Sequence, residues 1–119
     1  MADSIMLNKS KDLAVAIVNL CKELKTTSKD YILSNQLLRS GTSVGANIHE
    51  SKFAHSTADF ISKMQIALKE CHETEYWLEL LFRTEYIKEE DYYTLTEDCK
   101  QIKKMLISSI NTSKSNNCL

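Results

Sequence analysis

The stretch that decides the fold is residues 29–53, which read KDYILSNQLLRSGTSVGANIHESKF. Apolar or small residues recur in it at spacings of four, four, three and four, at Leu33, Leu37, Gly41, Val44 and Ile48. This spacing is the period of an amphipathic helix. Gly41 also fits a C-cap that would end the helix after Ser40, but the period continues in phase across Gly41 and Gly45. We therefore predict one long helix, helix two of the chain.

The only two glycines of the chain, Gly41 and Gly45, both fall in helix two, four residues apart. Each costs about 1 kcal/mol relative to alanine in a helix interior, so a helix retains glycine where another backbone comes close. The pattern predicts that Gly41 and Gly45 are close-packing positions. The alternative is that they are two incidental glycines in a loop.

Three more segments show the helical period on either side of helix two. We predict four helices, at about residues 10–25, 29–53, 56–84 and 89–112. The expected N-caps of the first three are Ser10, Ser28 or Asp30, and Ser56. The predicted core positions outside helix two are Leu13, Ile17, Leu20, Leu24, Phe60, Met64, Leu68, Cys71, Leu78, Phe82, Leu95, Cys99, Ile102, Leu106 and Ile110. The tail, residues 112–119, is rich in Ser and Asn and is expected to fray.

Composition agrees with an all-α fold. The chain has 119 residues, 43% hydrophobic and 26% charged, which is typical of a globular domain and excludes disordered and fibrous classes. It has no proline, so long helices are not interrupted, and too few turn residues for a β-sandwich or barrel. Because the connections between helices are short, we predict a single domain over residues 1–119, an up-down-up-down antiparallel four-helix bundle.

The four cysteines are spread along the chain without a C-x-x-C pair, at Cys21, Cys71, Cys99 and Cys118. This spacing does not indicate a disulfide framework. The first residues lack the layout of a signal peptide. The longest apolar stretch, residues 13–20, is far shorter than the roughly 20 residues that a membrane span requires. We expect a cytoplasmic protein with reduced thiols and no membrane contact.

The sequence contains no strong signature of catalytic or metal chemistry. Helical di-iron sites need Glu-x-x-His motifs, and the chain has none. His49 and Glu50 begin like a zincin helix, but Phe53 stands where the second histidine would be. There is no glycine-rich phosphate loop. We therefore predict no enzymatic activity, no metal, no cofactor and no small-molecule substrate.

Helix two also carries a polar stripe beside its apolar face. Arg39, Ser43, Asn47 and Glu50 are spaced four, four and three, so they share one side of the helix. If the chain turns near residues 54–56, Arg39 lies opposite residues 70–73 of helix three. An Arg39–Glu70 pair, with hydrogen bonds from Ser43 and Asn47, would fix the helix register. The alternative is a polar ligand site.

Charge is unevenly distributed although the formal net charge is only −1. Residues 70–98 hold ten of the sixteen acidic residues. The predicted topology places the start of helix one beside the end of helix four and gathers lysines on one edge. These candidate nucleic-acid-binding residues are Lys9, Lys11, Lys100, Lys103, Lys104 and Lys114. The alternative is that they lie on ordinary solvated faces.

Aromatic residues are concentrated around the connection between helices three and four. Adjacent pairs cannot both face inward, because neighbouring residues on a helix diverge by about 100°. The surplus Tyr and Trp side chains favour an interface, and self-association is the simplest partner. The candidate oligomer-interface residues are Tyr76, Trp77, Tyr86, Tyr92 and Tyr93.

Residues 36–50, QLLRSGTSVGANIHE, closely resemble the signature of the bacterial four helix bundle protein family, also called the 23S rRNA intervening-sequence-encoded protein family. DFI at residues 59–61, IALKE at 66–70 and ETEYWLELL at 73–81 resemble its helix-three motif. The resemblance covers about residues 8–112. The positions that match the signature polar stripe are Gln36, Arg39, Ser43, Asn47 and Glu50.

The resemblance implies a left-handed four-helix bundle that assembles into a homopentameric, barrel-like ring. A relative of the family, the accessory variability protein of diversity-generating retroelements, binds nucleic acid and a reverse transcriptase. The resemblance therefore implies a non-enzymatic, homo-oligomeric scaffold, with further copies of itself and RNA or DNA as partners. Nucleic-acid-binding relatives tend to be strongly basic, whereas this chain carries −1. A protein-interaction module without nucleic-acid binding is the alternative.

Overall fold

A computed structural model of the chain describes residues 4–29 and 31–117. These residues form four α-helices and no strand, which confirms the all-α prediction. The helices are α1 (Ser4–Thr27), α2 (Ile32–Ser51), α3 (Thr57–Arg83) and α4 (Glu89–Asn117). None of them is both long enough and apolar enough to cross a membrane.

One continuous apolar core lies between the four helices. Ile17, Leu37, Cys71 and Ile102 are fully buried, one from each helix. Of the predicted core positions, only Leu33, Phe60, Leu68 and Phe82 are partly rather than fully buried. The core also includes residues that the periodic pattern did not single out: Met6, Leu7, Ala67, Leu81 and Ile87.

The first helix begins earlier than predicted. It starts at Ser4, so Ser10 lies inside it and is buried rather than being an N-cap. The Ser10 hydroxyl donates to Leu7 O at 2.7 Å. The physical reason is that Met6 lies seven residues before Leu13 and is also buried, so the apolar face gains another two turns of helix.

The connection from α1 to α2 also differs from the prediction. Ser28 does not cap α2, because its hydroxyl donates to Leu24 O at 2.7 Å, at the end of α1. The N-cap of α2 is Tyr31, which makes no side-chain cap hydrogen bond. Asp30, the other predicted cap, lies outside the described residues. Beyond this start, α2 is unbroken through both glycines, so the C-cap alternative at Gly41 is wrong.

The start of α3 is as predicted. Ser56 is the N-cap, and its hydroxyl accepts from the Asp59 N–H at 3.0 Å. The Asp59 carboxylate in turn accepts from the His55 N–H at 3.1 Å, which satisfies a second free donor. The helix ends at Arg83, one residue before the predicted end at residue 84.

The last helix begins at Glu89, as predicted, and continues past the predicted end at residue 112. The tail that we expected to fray is helical as far as Asn117, and residues 118–119 lie outside the described part. Ile110 is buried, so the apolar face of α4 continues to this end of the core.

Each helix packs against two neighbours. In chain order α1 contacts α2, α2 contacts α3 and α3 contacts α4, and α4 returns to α1. Along two neighbouring helices, the residues in contact follow one another in opposite order. Arg39 of α2 meets Glu70 of α3, for example, whereas Glu50 meets Lys63. The molecule is elongated, 53 × 21 × 20 Å.

Candidate functional site

At Gly45, α2 lies directly against α1. A Cβ atom built there would lie 3.2 Å from Ser10 Oγ and 3.4 Å from Ser10 O, so the neighbour is partly backbone. At Gly41 the neighbour is instead a side chain. A Cβ atom there would overlap Ile17 Cδ1 and lie 3.0 Å from Ile17 Cγ2. Gly45 thus lies against the backbone and side chain of Ser10, whereas Gly41 lies against the side chain of Ile17, for which the missing Cβ leaves room.

The polar stripe of α2 meets α3 through Arg39. Its Nη1 donates to Glu70 Oε2 at 3.0 Å, which is the pair expected from the hairpin register. Its Nη2 also pairs with Glu73, and Glu73 accepts from Trp77 Nε1 at 3.1 Å. The Glu70 side chain is only 12% exposed and that of Arg39 is 49% exposed. One guanidinium therefore holds two carboxylates at the edge of the core.

The rest of the stripe behaves differently from the prediction. Asn47 Nδ2 donates to Ser43 O at 2.8 Å. This hydrogen bond lies within α2 and is not the predicted bond from α2 to α3. A further hydrogen bond between α2 and α3 comes from a residue that sequence reasoning missed. Thr74 Oγ1 donates to Ser40 Oγ at 3.1 Å, and both side chains are buried. Glu50 pairs with Lys63 of α3 at 3.7 Å. Gln36 is exposed.

A second charged contact joins α3 to α4. Lys103 Nζ lies 2.6 Å from Glu75 Oε1, and both side chains are about one-fifth exposed. His72 Nδ1 lies 3.8 Å from the same carboxylate oxygen. Lys103 therefore forms a structural ion pair with α3, and Glu75 neutralises its charge, so it does not add to the predicted basic edge.

The other five candidate lysines lie nearer the solvent. Lys9 Nζ donates to Gln101 Oε1 at 3.1 Å, which brings the first half of α1 beside the middle of α4. Lys11, Lys100, Lys104 and Lys114 are exposed. Asp12 and Asp98 line the same groove as Lys9. Burial raises the pKa of the Asp98 carboxyl, and the charge of Lys9 opposes this shift. The edge between α1 and α4 thus carries both signs of charge.

The aromatic candidates divide into packed and exposed side chains. Tyr92 stacks on Phe82, with ring centroids 4.5 Å apart and planes at 6°. Trp77 is partly buried and edge-on to Tyr76 at 5.0 Å. Tyr76, Tyr86 and Tyr93 remain exposed, by 60%, 42% and 59%. Tyr92 therefore closes the end of the core, and the other side chains leave apolar surface in water.

The three described cysteines are free and buried. Burial raises the pKa of the Cys21 thiol to about 11 and that of Cys71 to about 12, and it also raises the pKa of Cys99. A thiol is nucleophilic as the thiolate, so these groups are poor nucleophiles at neutral pH. Cys118 lies outside the described residues. In residues 4–29 and 31–117, no group of three or more His, Cys, Asp or Glu side chains is placed to hold a metal ion.

These features define a class: a small all-helical protein whose polar groups mainly fix the packing of its helices. A comparison with known families narrows the class. The family model of the 23S rRNA-intervening sequence protein matches residues 2–108, and the chain belongs to this family.

A solved structure agrees with this assignment. The chain is similar to a protein with unknown function from the S23 ribosomal protein family of Bacteroides thetaiotaomicron, whose crystal structure was determined at 1.70 Å resolution. The two are 55% identical and superpose with a TM-score of 0.90, over 93% of this chain and 99% of that chain. The search of curated proteins found no match.

Proposed function

We propose that the chain is a non-enzymatic, cytoplasmic homo-oligomer that acts as a scaffold for RNA or DNA. Its fold in this proposal is an up-down-up-down antiparallel four-helix bundle, which the reversed order of contacts between neighbouring helices supports. Five copies are favoured by resemblance to the family. The exposed tyrosines support self-association, because apolar side chains left in water on a small domain are common interface anchors.

The observation that carries the nucleic-acid proposal is the contact between Lys9 and Gln101. It brings α1 beside α4, and we infer that the exposed lysines of these two helices, Lys11 and Lys104 among them, form one basic edge. In an oligomer this edge repeats once per subunit, so individually weak phosphate contacts add. Such binding is tolerant of sequence and weakens with salt, because each neutralised phosphate releases counterions.

A titration with a labelled RNA or DNA duplex tests this proposal. Fluorescence anisotropy should report binding at about 50 mM salt and much weaker binding at about 200 mM. The double substitution Lys11→Glu with Lys104→Glu should abolish binding. Lys103 is left intact, because replacing it would also break the ion pair with Glu75.

The matched control makes the same charge change elsewhere. Lys22 and Lys88 are exposed at the opposite end of the molecule. Lys22→Glu with Lys88→Glu should therefore leave most of the affinity. No binding by the unmodified protein at about 50 mM salt, where screening is weak, or equal losses in the two double variants, would contradict the proposal.

One observation favours a second candidate, a protein-interaction module without nucleic-acid binding. Asp12 and Asp98 lie in the groove beside Lys9, and carboxylates there repel phosphate. Under this alternative the duplex would not bind at low salt, while self-association would persist. The same titration therefore distinguishes the nucleic-acid scaffold from the protein-interaction module.

A further inference from the structure

The outer surface where α2 meets α3 carries three residues at seven-residue intervals on each helix, a charged residue between two apolar or small ones. Seven residues are nearly two helical turns, so residues at this spacing stay on one face. Ile32 is 78% exposed and Ile66 is 40% exposed, while Leu80 is partly exposed. Because Arg39 pairs with Glu73, the same register places Ile32 opposite Leu80. We call this surface the outer seam; its residues are Ile32, Arg39, Ala46, Ile66, Glu73 and Leu80.

The centre of the outer seam has an unbalanced charge. Arg39 supplies one positive charge, and its two partners, Glu70 and Glu73, supply two negative charges. Within this ion-pair cluster the excess is one negative charge, and the exposed Lys69 lies beside it, one turn from Glu73. The cluster lies between the pair Ile32 and Leu80 toward one end and Ala46 with Ile66 toward the other. A partner that fits this surface offers an apolar residue, a cation and an apolar residue, at the same spacing.

The outward face of α4 has this pattern. Tyr93 is 59% exposed, Lys100 is exposed, and Ile107 is 46% exposed. They follow one another at intervals of seven residues, so they form a single line along α4. We call this line the α4 stripe. In the described residues no ion pair involves Lys100.

The outer seam and the α4 stripe also lie at matching levels along the molecule. Phe82 stacks on Tyr92, so Leu80 and Tyr93 are close to one level. Lys103 pairs with Glu75, so Glu73 and Lys100 lie within about a turn of one level. Two copies placed side by side, without a shift along the helices, therefore bring the charges and the apolar residues opposite each other.

We propose that the α4 stripe of one copy packs on the outer seam of the next. This inference rests on the proposed self-association and names its contact. The partner is a second copy because the two surfaces complement each other in charge and in spacing. One side of the molecule measures 53 by 21 Å, which is large enough to contain the roughly 800 Å² per partner of a standard interface.

The contact joins two different surfaces, so it repeats from copy to copy. A repeating contact of this kind closes into a ring when there is no displacement along the axis and the rotation between copies divides a full turn. The matching levels satisfy the first condition, with the ring axis parallel to the helices. The contact also assigns Lys100 to the subunit interface, apart from Lys11 and Lys104, which the proposed duplex binding uses.

Two single substitutions and their mixture test the proposal by light scattering. Ile32→Asp disables the outer seam, and Ile107→Asp disables the α4 stripe; each variant alone should be a monomer of 13.6 kDa. When the two are mixed, one intact seam meets one intact stripe, and the mass should rise to twice 13.6 kDa and stop there. Both residues are solvent-exposed, so circular dichroism should show folded helices in both variants.

Val15→Asp is the matched control, because Val15 is 60% exposed on α1, away from both surfaces. This variant should keep the mass of the unmodified protein. If Ile32→Asp and Ile107→Asp also keep that mass, the contact proposed here is wrong while self-association stands. If both are monomers but their mixture gives no dimer, a head-to-tail contact is wrong. If the unmodified protein is itself a monomer, both this contact and the proposed self-association fail.

Discussion

Replacing Gly45 with leucine tests whether the contact between α1 and α2 depends on the absence of a side chain. A Cβ atom at Gly45 would lie 3.2 Å from Ser10 Oγ and 3.4 Å from Ser10 O. The first carbon therefore needs only a small adjustment of the Ser10 side chain. The three further carbons of leucine would extend from a residue already against the α1 backbone, so the helices would have to separate.

The magnitude is the difference of two terms. Replacing glycine in a helix interior contributes up to about 1 kcal/mol of stability through helix propensity. Overpacking a well-packed contact costs about 1–3 kcal/mol, and more where backbone has to move. Because the neighbour of Gly45 is partly backbone, we expect the cost to exceed the gain. Gly45→Leu should lower the free energy of unfolding by about 1–2 kcal/mol.

Thermal melts and urea unfolding measure this difference. For a domain of this size, 1 kcal/mol corresponds to roughly 4 °C in the melting temperature. His49→Leu is the control, because His49 is exposed one turn further along α2 and should change stability by no more than about 0.5 kcal/mol. A Gly45→Leu variant as stable as the unmodified protein would refute the argument from close approach.

Two further predictions concern ionisable side chains. Arg39→Met should lower the free energy of unfolding by about 1–2 kcal/mol, less than the 3–5 kcal/mol typical of a fully buried pair, since Arg39 is half-exposed; an unchanged urea midpoint would contradict the structural role. Stability should also fall as the pH rises above about 9, the ordinary thiol value, toward 11–12, because burial holds Cys21 and Cys71 protonated in the folded state while the unfolded thiols ionise. Replacing both with alanine should flatten this part of the pH profile, and an unchanged slope would count against it.

The helix interiors could be predicted from the sequence because their signal is periodic. Leu37, Val44 and Ile48 repeat in phase across both glycines, and a real break would shift that phase. The ends were less predictable. The start of α1 depends on whether Met6 and Leu7 are buried, and the apolar surface that buries them is formed by the other helices. A residue type that favours N-caps, such as Ser10, carries no information about these contacts with other helices.

The ion pairs show the same limit. The pair of Arg39 with Glu70 could be predicted because α2 and α3 are joined by a short turn, which fixes the register by counting. Lys103 was assigned to the wrong edge. It lies next to Ile102 on the flank of α4, and the sequence does not say whether that flank faces α1 or α3, because this depends on the arrangement of the helices in space. The structure places it against Glu75 of α3.

The central claim is that this chain works as an assembly of identical subunits, and the mass of the unmodified protein tests it most directly. Native mass spectrometry at micromolar protein concentration, in a volatile buffer of moderate ionic strength, should give a multiple of 13.6 kDa, with five copies expected. A single species at 13.6 kDa over the whole concentration range would contradict the claim.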